Sequence, residues 1–122
     1  MTPARALLPA LALYACATEI ERLQAPRVVS GMDLVPFAVH EECMALATGE
    51  RIAYQFTAQP PVAFNIHFHE GNAVILPIDI ASTVDESGTF AADRTQGYCL
   101  MWEAGPQGSH LAYRVQPVAP RR

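Results

Sequence analysis

Two runs of strict apolar–polar alternation, residues 51–57 and 62–69, constrain the fold of this chain more than any other feature. Ile52, Tyr54 and Phe56 fall on one parity and Ala53, Gln55 and Thr57 on the other. Val62, Phe64, Ile66 and Phe68 then alternate with Ala63, Asn65, His67 and His69. A period of two is the signature of a strand with one buried face, and no helix could sort these side chains into apolar and polar sides. Tyr98, Leu100 and Trp102 make a third inward row, and Leu111, Tyr113 and Val115 a fourth.

Turn-forming residues punctuate these runs: Thr48-Gly49, Gln59-Pro60-Pro61, Glu70-Gly71-Asn72, Glu86-Ser87-Gly88, Gln96-Gly97 and Gly105-Pro106-Gln107-Gly108. The rhythm predicts strands over 35–45, 51–57, 62–69, 73–80, 88–92, 97–103 and 110–116. The expected fold is therefore all-β, a seven- to eight-stranded antiparallel β-sandwich of jelly-roll-like type after an N-terminal signal segment. With 51% hydrophobic and 16% charged residues, the composition is that of a globular domain with one core, not of a disordered chain.

The first residues read differently. Arg5 supplies a positive n-region, residues 6–13 an apolar stretch too short to span a bilayer, and Ala15-Cys16-Ala17 the small residues of a cleavage site. Leu13-Tyr14-Ala15-Cys16 resembles the lipobox of bacterial lipoproteins, whose cysteine receives a diacylglyceryl group. Tyr14 is bulkier than the residue usual at its position, so cleavage after Ala17 is the alternative, and an N-terminal helix of a cytosolic domain a third reading. The expected organisation is a signal peptide with a lipobox over 1–16, a tether over 17–33 and the sandwich over 34–118. The expected location is the cell envelope, membrane-anchored on the periplasmic side through Cys16. In that oxidising compartment the other two cysteines, Cys43 and Cys99, should be joined; in a reducing one they would be two buried thiols.

The order of motifs resembles the GOLD (Golgi dynamics) domain of eukaryotic cargo receptors and of bacterial exported proteins. The resemblance lies in Glu42-Cys43, Gly49-Glu50-Arg51-Ile52-Ala53-Tyr54, Val62-Ala63-Phe64-Asn65-Ile66, Gly88-Thr89-Phe90 and Gly97-Tyr98-Cys99-Leu100-Met101-Trp102, followed by a last strand ending near Val115. Cys99 stands two residues earlier than the second cysteine of the cargo-receptor domains. A two-residue shift keeps its side chain on the same face, so a bridge to Cys43 remains possible. The resemblance implies a sandwich that binds a protein or a small ligand.

Chemistry concentrates in Asn65-Ile66-His67-Phe68-His69-Glu70. Histidines two apart on a strand share a face, with β-carbons roughly 6.5–7 Å apart, and can converge on one ion. His67, His69 and Glu70 are the candidate zinc or copper ligands, with His40, His110, Met44 and Met101 as further donors. The same row, Asn65, His67 and His69, is equally a candidate surface for a polar ligand or partner, and the bland alternative is an exposed strand face. His40-Glu41-Glu42 reads as a charged strand end. Enzyme signatures are lacking: there is no glycine-rich phosphate loop, no Gly-x-Ser-x-Gly and no Cys-x-x-Cys. Asp79 and Asp85 form no evident acid–base pair, and Trp102, Tyr98 and Phe64 lie on inward parities as core. A net charge of −4, with eight scattered arginines as the only Lys or Arg residues, argues against nucleic acid. The expectation is a non-catalytic envelope binding protein without a cofactor, or alternatively one that binds zinc or copper.

Overall fold

The inward rows of the sequence become the interior of one antiparallel sheet that curls over on itself. The computed structural model describes residues 2, 4 and 19–120, so the expected lipidation at Cys16 and nearly all of the 1–16 leader lie outside the described residues. Six strands follow in order: β1 (Arg27–Leu34), β2 (Val39–Leu46), β3 (Arg51–Glu70), β4 (Ala73–Ala91), β5 (Gln96–Ala104) and β6 (Ser109–Pro117), with no helix among the described residues.

The seven expected ranges become five because two expected turns lie inside strands, and β1, which none of those ranges covers, makes six. Pro60-Pro61 does not end the strand, although the ladder with β4 shifts register between Thr57 and Val62. The pairing of β3 with β6 ends at Gln59↔His110, and its pairing with β5 begins at Val62↔Ala104. The two prolines, which lack an N–H, occupy the gap where β3 passes from one neighbour to the other and no ladder donor is needed. Gly88 sits within β4 opposite Tyr54, where a β-carbon would lie 2.9 Å from the Tyr54 hydroxyl oxygen. There glycine marks a close approach of a ring to the strand instead of a turn.

Strand β3 is the spine. It pairs with β4 along one edge and, along the other, with β6 over Ile52–Gln59 and with β5 over Val62–His67. Beyond these, β1 pairs with β6 and β2 with β5. The sheet bends where β3 changes partner. Phe56 and Phe64 would stand roughly 26 Å apart on a straight strand, yet their ring centroids are 4.6 Å apart. Across the same bend Trp102 of β5 stacks on Tyr113 of β6 at 4.5 Å. At this corner β5 turns into β6 through Gly105–Gly108. Gly108 has φ 71°, and a β-carbon there would come within 2.5 Å of the Leu34 carbonyl oxygen, so no other residue fits.

The concave side holds the core. Trp102, Tyr98, Phe64, Ile52, Ile66 and Leu100 are fully buried, each contributing about 1.5–3 kcal/mol or more by removal from water. The free ends of the curl are tied together by polar contacts. Arg27 on β1 donates to Glu42 (3.2 Å) and to the Cys43 carbonyl (2.9 Å), and His40 Nε2 lies 2.9 Å from the Tyr113 hydroxyl. Burial, reinforced by the Glu42 carboxylate, pushes the Tyr113 phenol up to about 12.

The expected tether over 17–33 also contributes structure, since β1 begins at Arg27. Its pairing with β6 shifts between Val29 and Met32. That bulge breaks the period of two, which is why alternation did not reveal the strand. Strand β2 starts at Val39 instead of near residue 35, because Val35–Ala38 closes a turn with an Ala38 N–H to Val35 carbonyl bond of 3.0 Å and Phe37 at φ 62°.

Candidate functional site

Parity places Asn65, His67 and His69 on the convex face, opposite the core row of Phe64, Ile66 and Phe68. Register then decides what lies beside them. Across β3 and β5, Asn65 faces Met101 and His67 faces Cys99; across β5 and β2, Met101 faces Glu41 and Cys99 faces Cys43. Two rows therefore cross three strands, Asn65–Met101–Glu41 and His67–Cys99–Cys43. Cys43 and Cys99 are joined by a disulfide between directly opposed residues, with Cα atoms 4.0 Å apart.

His67 is the centre of this face. Although it is on the outward parity it is only 4% exposed. Its Nδ1 lies 2.7 Å from Asn65 Oδ1. An amide oxygen only accepts, so Nδ1 carries the proton and donates it, and Nε2 keeps a free lone pair. That lone pair lies 3.6 Å from Glu41 Oε1. Burial holds the imidazole below its ordinary value; Glu41 opposes this shift and His69 adds to it. Neutral Nε2 and the Glu41 carboxylate are thus two acceptors facing each other, an arrangement that gains from a cation between them. The exposed His69 ring stands 5.3 Å from His67, nearly perpendicular at 87°. The Glu41 carboxylate and the sulfurs of Cys43 and Cys99 lie within 4.8 Å of one another.

The other candidates go elsewhere. Glu70 has the parity of Phe68, not of His69, and it binds Arg94 at 2.8 Å, whose guanidinium lies over the Phe68 ring. Strand alternation therefore separates it from the histidine pair, and Glu41 takes the position beside His67 that Glu70 was expected to take. His40 points inward to Tyr113 and Trp102, and Met44 is fully buried. His110 pairs with Asp33 at 2.7 Å on the other half of the sheet. Asp79 faces Asn65 and Asp85 faces Thr57, on opposite sides of the bend. Trp102, Tyr98 and Phe64 are core, and the buried Trp102 Nε1 has no hydrogen-bond partner among the described residues.

Sequence alone does not reveal the Glu41 neighbourhood, because His40-Glu41-Glu42 has the look of one charged strand end. Alternation divides that triplet, sending His40 and Glu42 inward and Glu41 outward. A signal existed: once Cys43 opposes Cys99, antiparallel register puts Glu41 opposite Met101 and on the disulfide's face. No protein-family model matches this chain, and no curated protein matches it.

Proposed function

We propose that this chain is a non-catalytic binding protein of the cell envelope whose convex β3–β5–β2 face takes a divalent transition-metal ion, zinc or copper. In this reading the curled sheet is a two-layer GOLD-like sandwich, exported by the 1–16 leader and held at the membrane through a lipid on Cys16. The observation that carries the metal is the His67 pair of contacts: Nδ1 donates to Asn65 while Nε2 faces Glu41 at 3.6 Å. A metal-binding imidazole commonly has its far nitrogen oriented by such an acceptor. His69, next to it on the same face, is the third donor. An open fourth position suits water or a group from a partner.

Equilibrium dialysis of the disulfide-bonded chain against ZnCl2 or CuSO4 tests this. One ion per chain is expected, with Asn65→Ala weakening it about tenfold through loss of the orienting bond and Glu70→Gln leaving it unchanged. Stoichiometric ion in a His67→Ala/His69→Ala variant would sink the reading. Mass spectrometry of the mature N-terminus tests the anchor, and an unmodified Cys16 refutes it.

A second reading keeps the same face as a recognition surface for a polar ligand or a protein. It is favoured by the exposure of Glu41 and His69 around the buried His67. Asn65 would then act through His67, because its amide oxygen is engaged there.

A further inference from the structure

We propose that reduction of the Cys43–Cys99 disulfide turns this face into a thiolate zinc centre, with Cys43, Cys99, Glu41 and His67 as the four ligands. The inference rests on the reading that the face takes a metal ion, and it adds the sulfurs as the stronger donors. Glu41 and the two cysteines already place their ligand atoms within 4.8 Å of one another. In a tetrahedral site with Zn–S near 2.3 Å and Zn–O near 2.0 Å, ligand atoms stand roughly 3.3–3.8 Å apart, so side-chain rotation brings these three together; His67 lies outside that group of three. His67 enters through Glu41, its free Nε2 being 3.6 Å from that carboxylate, and its backbone is opposite Cys99.

The backbone holds the ligands in place without the disulfide. Cys43 and Cys99 sit mid-ladder in a pairing that runs from Val39↔Glu103 to Leu46↔Gln96. Breaking the sulfur–sulfur bond therefore frees two side chains but leaves the strands in register. Cys43 is half-buried and Glu41 exposed, which leaves both room to turn toward an ion, while His67 is fixed by Asn65.

The step balances with a two-electron reductant. A dithiol leaves as its own disulfide, passing two electrons and two protons to the sulfurs and giving two thiols. A trialkylphosphine does the same by taking oxygen from one water to become its oxide. Zinc then replaces both thiol protons, which pass to solvent. Loss of the ion and oxidation by a disulfide reverse the sequence.

The test uses the full chain carrying Cys16→Ser, so that the only thiols are those of the pair. One sample stays oxidised; the other is reduced with a trialkylphosphine and desalted without oxygen. Both are titrated with Zn2+, and with Co2+ for its sulfur-to-metal charge-transfer absorption. The reduced chain should bind one Zn2+ at least about a hundredfold more tightly than the oxidised chain. It should show the cobalt–thiolate band, and Glu41→Gln or His67→Ala should weaken its binding while retaining that band. Equal affinity of the two forms overturns the proposal, as does a reduced chain without the band. So does a reduced chain that unfolds, by circular dichroism, and is not refolded by one equivalent of Zn2+. Binding only by the oxidised form refutes the thiolate centre and keeps the His67–Glu41 site; binding only by the reduced form does the reverse.

Discussion

Replacing both bridged cysteines by alanine should cost about 4 kcal/mol of stability. The bridge joins positions 56 residues apart. The chain-entropy relation for a loop of that length gives an entropy restriction of about 14 cal/mol/K on the unfolded chain, or about 4 kcal/mol at room temperature. For a domain of this size, whose total is of the order of 5–15 kcal/mol, that is a large fraction. The native ladder argues against a larger loss, since β2 and β5 stay paired on both sides of the bridge. In a Cys16→Ser background, urea unfolding of the Cys43→Ala/Cys99→Ala variant should show a midpoint lower by about 2 M or more, with m near 1.5–2 kcal/mol/M. The slope should also rise, because the unlinked chain exposes more surface when unfolded. A loss below about 1 kcal/mol with an unchanged slope would refute the reasoning, since it would mean that the bridge does not restrict the unfolded chain.

Three further outcomes are expected. Phe64→Ala removes a ring in contact with Tyr54, Phe56 and Trp102 at the bend and should cost about 3–5 kcal/mol by chemical denaturation; a loss under 1 kcal/mol would mean that the bend is not packed as described. Tyr113→Phe leaves the half-buried His40 Nε2 without its 2.9 Å partner and should cost about 1 kcal/mol, while a neutral or stabilising change would assign that contact no role in closing the curl. Because His67 is held below its ordinary 6.5, mainly by burial, the folded chain binds fewer protons than the unfolded one between the two pKa values. Its contribution is complete above about 6.5 and is lost as pH falls through the lower folded value. Stability measured against pH should therefore decline between about 6.5 and that lower value more steeply in the wild type than in His67→Gln, and parallel curves would contradict the burial of His67.

Alternation was enough to identify the faces of β3, β5 and β6, because it is a property of each strand alone: Phe64 and Trp102 lie in the core and His67 on the opposite, convex face, as their parities required, although His67 is itself buried there. It failed for β1, where the bulge after Val29 resets the period. It also failed at Pro60-Pro61 and Gly88, where residues common in turns serve a change of partner and a ring contact. The candidate site divides in the same way. The placement of His67 and His69 on one face was legible from their spacing, and Glu70 could be separated from them by parity, yet no local pattern brings Glu41 to His67.

By itself, then, the sequence determined an all-β chain, the inward and outward rows of its principal strands and the residues available for a bridge. Tertiary structure decided that β3 is one bent spine, that Glu42 and Arg27 join the free ends of the curl, and that Glu41, His67 and the disulfide share one patch. The physical reason lies in range. A strand's periodicity comes from its own backbone, whereas the contact between Glu41 and His67 crosses β5, to which β2 and β3 both pair but across which they never pair with each other. Such a contact exists only once the register of both ladders is set.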